Sequence, residues 1–169
     1  MTLEHPVAVR APRNLAEAAE AHLDDVLGYL LYLTRDRETA EDLTSATFEK
    51  ALRLWARFDG TRGSARTWLL GIARTTALDW FRAETRRRKR EEAAALPERV
   101  DEAFAEGLSP ALEAALAALS AGEREVLALR IVLELDGDAT ARVLGISPTA
   151  VSTRLSRALK RLEERVNEG

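Results

Sequence analysis

The basic side chains of this sequence are mostly arginine, a residue suited to binding phosphate. Of 25 basic residues, 22 are arginine and three are lysine. The planar guanidinium can donate two parallel hydrogen bonds to a phosphate or to the edge of a base. The charge is unevenly spread: residues 82–90 carry +5 and residues 137–169 carry +2, while residues 91–136 between them carry −8. Two cationic zones indicate two contacts with nucleic acid, although a single charge run is more often a solvated helix face.

The sequence offers few residues suited to enzymatic catalysis or metal binding. The sequence has no cysteine and two histidines, His5 and His22, so it excludes disulfides, thiolate catalysis and zinc–thiolate sites. It also lacks a glycine-rich phosphate loop following a strand and a nucleophile elbow. We therefore expect a protein that is not an enzyme and that binds no metal and no cofactor.

The overall composition is that of a soluble globular protein. The 169 residues are 46% apolar and 31% charged, with a formal net charge of −3. No apolar run approaches the roughly 20 residues that span a bilayer, and the first residues show no secretory signal. We expect a cytoplasmic protein. The net charge alone argues against a nucleic-acid partner, whereas its distribution argues for one.

Residues 139–151 have the pattern of a helix-turn-helix. Gly145 supplies the positive φ that ends the first helix, Ser147 caps the second, and Val151 faces the core. Residues 148–161 include four basic residues and no acidic one, which suits a helix whose N-terminal half enters the major groove. The alternative is a turn between two core helices followed by a solvated basic helix. The candidate DNA-binding residues are Ser147, Thr149, Ser152, Thr153, Arg154, Ser156, Arg157 and Lys160.

Three helices are predicted before the basic run, from helical periodicity and from glycine in the loops. The first begins after Asn14, the second runs from about Glu38 to Phe58, and the third runs from about Ala65 into residues 82–90. On one side the third helix carries a polar stripe of Gly71, Thr75, Asp79, Arg82 and Arg86. Its core-facing residues are predicted to be Trp68, Leu69, Ile72, Thr76 and Trp80.

A linker separates two helical modules. Residues 91–107 are rich in alanine and glutamate and lack a strong apolar stripe. The second module begins at Ser109-Pro110, an N-cap followed by proline, and contains a capping box at Ser120. The prediction is an all-α protein with two small helical domains and no strand. Its parts are an N-terminal tail 1–14, a first domain 15–90, a linker 91–107 and a second domain 108–169.

Both modules resemble regions of sigma-70 family sigma factors of RNA polymerase. Residues 114–130 and 144–158 resemble region 4 with its helix-turn-helix. Residues 36–48 resemble region 2.2, and residues 67–82 resemble regions 2.3 and 2.4, including Thr67-Trp68-Leu69 and Asp79-Trp80-Phe81-Arg82. The order and spacing, and the absence of other regions, resemble the extracytoplasmic-function (ECF) group from about residue 20 onward.

The resemblance implies promoter recognition and transcription initiation on core RNA polymerase. The first domain would bind the clamp of the largest polymerase subunit and capture the melted −10 strand. The second would read the −35 duplex and touch the flap of the other large subunit, and an anti-sigma factor is an implied partner. The residues implied for polymerase binding are Glu41, Asp42, Ser45 and Glu49. Those implied for the −10 element are Arg62, Ser64, Arg66, Arg74, Thr75, Asp79, Arg82 and Arg86.

Two positions depart from the family pattern. The family commonly has Asn where Thr75 stands, so the base preference at −10 is expected to differ. It often has a Gln-Glu pair where Ser45 and Ala46 stand, while Glu41, Asp42 and Glu49 remain available on the same helix.

Two other classes of function compete with this one. A stand-alone helix-turn-helix regulator would bind duplex DNA tightly without polymerase, and the −8 zone beside its reading helix argues against that. A helical adaptor or anti-sigma module is disfavoured by the basic second helix of the helix-turn-helix.

Overall fold

The computed structural model describes residues 12–91 and 109–167. Within these ranges the chain forms seven α-helices and no strand, which confirms the all-α prediction. The predicted linker, apart from Glu91, and residues 1–11 of the predicted tail lie outside the described residues. The elements are α1 (Leu15–Thr34), α2 (Arg37–Leu54), a 3₁₀ turn (Trp55–Arg57), α3 (Ala65–Glu91), α4 (Pro110–Ala117), α5 (Ala121–Leu127), a π-helical turn (Ala128–Val132), α6 (Gly137–Leu144) and α7 (Pro148–Asn167).

Side-chain caps determine where several helices begin. The Asn14 side chain accepts a hydrogen bond from the Glu17 N–H at 2.9 Å, as predicted for the start of α1. Ser120 and Glu123 form a reciprocal capping box at α5, with distances of 3.2 and 2.9 Å. At the other end of α1, Arg35 adopts a left-handed conformation, with φ of 53°, and reverses the chain toward α2.

The second helix is shorter than predicted. We expected it to continue to Phe58, but α2 ends at Leu54 and passes into the 3₁₀ turn. The rings explain the change, because Trp55 stacks on Phe58 with centroids 4.9 Å apart and Phe58 packs on Trp68 at 5.3 Å. A tighter turn brings both rings onto the start of α3.

The third helix is buried on more than one side. Of the residues predicted to face the core, Leu69 and Thr76 are buried, whereas the others are half-buried. Leu70, Ala73 and Ala77, which the prediction did not include, are fully buried. The reason is that α3 packs against α1 and α2 and also against α6 of the second domain.

The two domains share one apolar core. Leu30 and Leu69 of the first domain belong to the same buried cluster as Val126, Leu129 and Val151 of the second. A smaller cluster in the second domain contains Leu119, Leu127 and Ala158. The domains of the free chain therefore contact each other directly.

Candidate nucleic-acid and polymerase interfaces

The turn before α7 holds that helix at the surface of the second domain. Gly145 has a φ of 64°, as predicted, and Ser147 caps α7 by accepting a hydrogen bond from the Ala150 N–H at 3.1 Å. Val151 is 1% exposed and anchors the helix to the core, with Leu155 half-buried beside it. The opposite face of α7 is left exposed.

Most of the predicted DNA-binding residues of the helix-turn-helix share this exposed face. The hydroxyls of Ser152 and Thr153 donate to the carbonyls of Pro148 and Thr149 at 3.2 and 3.0 Å, so their lone pairs remain available to accept. The exposed members are Ser147, Thr149, Ser152, Thr153, Ser156, Arg157 and Lys160.

Arg154 is the exception in that set. It is half-buried, and its guanidinium lies against Gly122 at the start of α5, where an added Cβ would be 3.3 Å from Nη1. The structure therefore places it between α7 and α5 rather than on the exposed face.

An acidic group lies beside the basic face of α7. Glu123 accepts from the Ser120 N–H and pairs with Arg161 at 3.1 Å. The hydrogen bond from the Ser120 backbone, together with its hydroxyl and the charges of Arg161 and Arg157, lowers the pKa of Glu123 below its usual 4.5. Glu123 is thus ionised at neutral pH and holds Arg161 against α5, while Arg157 stays exposed.

An open cleft of about 400 Å³ lies at the start of α3. The rings of Phe58 and Trp68 form its apolar part, and Arg62, Ser64 and Thr75 contribute polar groups. The full lining is Arg57, Phe58, Asp59, Arg62, Gly63, Ser64, Thr67, Trp68, Gly71, Ile72, Thr75 and Arg142.

Sequence reasoning missed the aromatic part of the cleft. Trp68 was expected in the core, but it is half-buried and lines the cleft with Phe58. Trp55 completes a cluster of three rings, 5.7 Å from Trp68. The position of Phe58 beside a loop containing two glycines is the only signal that could have suggested this.

Thr75 presents a single kind of hydrogen-bonding group to the cleft. Its hydroxyl donates to the Gly71 carbonyl at 3.0 Å and its side chain is exposed. The oxygen can then only accept, whereas an asparagine could both donate and accept.

The loop before α3 is ordered by short local hydrogen bonds. Asp59 accepts from the hydroxyl and N–H of Thr61 at 2.6 and 2.9 Å, which lowers the pKa of its carboxyl. Ser64 accepts from the Thr67 N–H at 3.1 Å and so caps α3. Asp59 and Ser64 are therefore held in place by hydrogen bonds with neighbouring residues.

The residues predicted for the −10 element fall into three groups. Arg62, Ser64 and Thr75 line the cleft. The exposed residues Asp79, Arg82 and Arg86 lie further along α3, where Asp79 pairs with Arg82 at 3.5 Å and with Lys50 at 3.7 Å. The remaining two, Arg66 and Arg74, turn away from the cleft toward the second domain.

Arg74 is bound by a glutamate of the second domain. Its Nε and Nη2 donate to the two carboxylate oxygens of Glu125 at 2.9 and 3.3 Å. The Tyr29 hydroxyl donates to the same carboxylate at 3.0 Å. Burial and the adjacent Glu125 raise the pKa of Tyr29 well above its usual value, and the pKa of Arg74 is raised by Glu125 despite the opposing effect of burial.

Arg66 bridges the domains in a second place. Its Nε donates to Asp25 at 2.6 Å and its Nη2 donates to the Leu133 carbonyl at 2.5 Å. Leu133 follows the π-helical turn of the second domain, so this contact also crosses between the domains.

The basic end of α3 is partly neutralised by its own helix. Arg87 pairs with Glu84 and with Glu91, and Arg88 pairs with Glu84 at 3.5 Å. The hydrogen bond from Arg87 lowers the pKa of Glu84, which keeps that carboxyl ionised. Arg86, Lys89 and Arg90 are exposed.

The polymerase-binding candidates share one exposed face of α2. Glu41, Asp42, Ser45 and Glu49 are all exposed, with Glu41 paired to Arg37 at 2.8 Å. The same face carries Leu52, which is 69% exposed and which the prediction did not include. Leu52 follows Ser45 by seven residues, and this spacing places both residues on one face of a helix, so the sequence could have indicated it.

The described residues contain neither a cluster of metal-binding side chains nor a helix able to span a membrane. Within residues 12–91 and 109–167, there is no cluster of three or more side chains suited to holding a metal ion. No helix in those ranges is long and apolar enough to cross a membrane.

Two family models match separate parts of the chain. The family model for sigma-70 region 2 matches residues 18–87, and the model for sigma-70 region 4 matches residues 109–162. Both matches correspond to the regions that the sequence resembles.

Individual relatives agree with the family models. RNA polymerase sigma factor YlaC of Bacillus subtilis (strain 168) is 35% identical over 161 residues, covering 91% of each chain. ECF RNA polymerase sigma factor SigC of Mycobacterium tuberculosis is 34% identical over 160 residues, covering 90% of this chain and 85% of the relative. The sigma factor RpoE of Bartonella quintana, solved with the anti-sigma factor NepR, has the same fold, with a TM-score of 0.76 and 22% identity over 92% of this chain and 98% of that one.

The fold and these matches define a two-domain transcription initiation factor. The chain belongs to the sigma-70 family of RNA polymerase sigma factors, within the ECF group.

Proposed function

We propose that the protein binds core RNA polymerase and directs initiation at promoters with −10 and −35 elements, acting in the cytoplasm. The observation that carries this proposal is the presence of both sigma-70 regions, in order, on one chain. In this role the chemistry belongs to the polymerase, and the protein itself is not an enzyme. The functional domains would be residues 15–90 and 108–169.

The second domain would read the −35 duplex with α7. Three features support this: a capped N-terminus, a buried anchor at Val151 and an exposed polar face. Residues near the start of such a helix reach base edges, and later basic residues reach phosphates. We assign base reading to Thr149 and Ser152 and a contact with base or phosphate to Arg157.

The first domain would hold the melted −10 strand. Unpaired bases need a stacking surface, hydrogen-bonding groups and a cationic surface for the backbone. Phe58 and Trp68 supply the first, Thr75 the second and Arg62 the third, all around one cleft. Arg82 and Arg86 extend the cationic surface along α3.

The exposed face of α2 would bind the polymerase clamp. An exposed leucine surrounded by polar groups has the composition of an interface anchor with its rim. Leu52 would be that anchor, with Glu41, Asp42 and Glu49 along the same face of α2. We also propose an anti-sigma factor as a partner, because the Bartonella quintana relative was solved with one.

Mapping transcript starts after overexpression tests the proposal. We expect a new set of starts that share one −10 and one −35 sequence at a fixed spacing. The Arg157→Ala variant, expressed equally, should lose most of that set. An unchanged set of transcript starts would contradict a role in initiation. A stand-alone regulator would instead change transcript levels at promoters whose start sites do not move.

A further inference from the structure

The cleft at the start of α3 has the size of a small-molecule site. Its volume is about 400 Å³, and pockets that hold cofactors or metabolites measure about 300–1,000 Å³. Phe58 and Trp68 belong to its lining, with ring centroids 5.3 Å apart. Aromatic side chains bind nucleobases by stacking, with little preference among the bases. The apolar part of the cleft therefore suits one base.

Three arginines from both domains line the same cleft. Arg57 and Arg62 belong to the first domain, whereas Arg142 comes from α6 of the second. Arg142 lies against Gly63, where an added Cβ would be 3.4 Å from Nη1. Within residues 12–91 and 109–167, none of the three arginines has a carboxylate oxygen within 4 Å. Their guanidinium groups are therefore available to an anion, and guanidinium binds phosphate well.

The cleft is positively charged overall. Asp59 is the one acidic side chain among the described residues that line it. Its Oδ1 accepts from the hydroxyl and the N–H of Thr61, and these hydrogen bonds lower its pKa and keep it ionised. Three cations and one anion leave a net charge of +2 beside the two rings. A ligand that joins a flat ring to several negative charges matches both parts of the cleft.

We propose that this cleft binds a free nucleoside triphosphate, with its base against the two rings and its phosphates among the three arginines. The cleft overlaps the surface assigned to the −10 strand, but Arg142 of the second domain belongs to the nucleotide site alone. Binding needs neither polymerase nor promoter, so the nucleotide site does not depend on the proposed function. A bound nucleotide and an unpaired −10 base would compete for Phe58 and Trp68.

Calorimetric titration of the free, full-length protein with ATP, GTP, CTP and UTP tests the site. Adenosine and inorganic triphosphate represent the two halves of the ligand. Each half should bind about tenfold more weakly than ATP, because one lacks the contacts with arginine and the other lacks stacking. Inorganic triphosphate that binds as tightly as ATP would overturn the proposal, since attraction between opposite charges would then suffice. Absence of binding by every nucleotide at millimolar concentration would overturn it as well.

Arg142→Gln tests the contribution of the second domain without altering a residue assigned to DNA. It should weaken ATP binding about tenfold, because a charge-assisted contact with phosphate is lost. Arg165→Gln, at an exposed position of α7, removes the same charge and is the matched control. Its affinity for ATP should stay within about twofold, because distant surface charges are screened. Equal weakening in the two variants would overturn the proposal.

Phe58→Leu tests where the base lies. It removes an aromatic face and should weaken binding of ATP while leaving binding of inorganic triphosphate unchanged. Unchanged binding of the inorganic anion also shows that the cleft keeps its shape. Equal loss of both ligands, or of neither, would contradict the placement of the base.

Displacement by a single-stranded −10 oligonucleotide separates this site from the proposed function. We expect an excess of the strand to displace ATP from the free protein, because both need the same rings. ATP binding that the strand does not affect would contradict the −10 assignment and leave the nucleotide site in place. A protein that supports initiation with core polymerase but binds no nucleotide would overturn the nucleotide site alone.

Discussion

Arg157 is the residue that most directly tests how the second domain reads DNA. It is exposed on α7, downstream of the helix cap. Replacing it with alanine should weaken binding of the polymerase complex to a promoter by about 1–3 kcal/mol, because a two-pronged arginine contact is lost. Competition binding on promoters with and without the −35 element measures this. Arg165→Ala, near the exposed end of the same helix, is the charge-matched control. Equal losses in the two variants would contradict the assignment.

Leu52 and Arg82 allow polymerase binding to be separated from DNA opening. Leu52→Ala removes an exposed apolar anchor and should weaken binding to core enzyme by about 1–2 kcal/mol. Arg82→Ala should leave that affinity unchanged and reduce open-complex formation, because Arg82 belongs to α3 and not to the exposed face of α2 that carries Leu52. Core affinity is measured by titration, and opening by permanganate reactivity of the −10 thymines. Equal losses of core affinity in both variants would contradict these assignments. So would an equal effect of Leu23→Ala, at another exposed leucine, and Leu52→Ala.

At the scale of the element, α5 depends on an ionised cap. The backbone N–H of Ser120 is the main cause of the lowered pKa of Glu123, which therefore lies below 4.5 in the folded protein. The ionised Glu123 side chain contributes its full stabilisation above the usual glutamate pKa. That stabilisation is lost as the pH falls through the lowered pKa. Glu123→Gln should lower the free energy of unfolding by about 1 kcal/mol near neutral pH.

The pH dependence separates this effect from general damage to the helix. Urea unfolding near neutral pH and at about pH 3 should show that the difference between the unaltered protein and Glu123→Gln shrinks as the carboxyl is protonated. Glu163→Gln, an exposed position on α7, is the control. A difference of the same size at both pH values would show that charge is not the cause.

Helix ends set by neighbouring capping residues could be predicted from the sequence. Features set by contacts with residues distant in the sequence could not. The sequence predicts that Asn14, Gly145 and Ser147 cap helix ends, and the structure confirms all three caps. The end of α2 was missed because ring contacts with Trp68, more than ten residues later, tighten the chain there. In the same way, nothing near Arg74 in the sequence indicates a partner 51 residues away.

At the scale of the whole molecule, the distribution of charge matters more than its sum. The net charge of −3 conceals the basic run at 82–90 and the acidic stretch at 91–136. The structure refines this further, since Arg87 and Arg88 are paired with glutamates of α3, and Glu125 of the acidic stretch is paired with Arg74. Such pairing leaves fewer free cations than the sequence suggests and favours weak DNA binding by the free chain.

A reconstituted transcription assay tests whether initiation depends on both the protein and core polymerase. Transcription is followed from a promoter found by mapping transcript starts, with core polymerase alone, with the protein alone and with both. We expect a specific transcript only when both are present, and a much smaller amount with Arg157→Ala. A transcript of equal amount from core polymerase alone, or no transcript from the mixture, would contradict it.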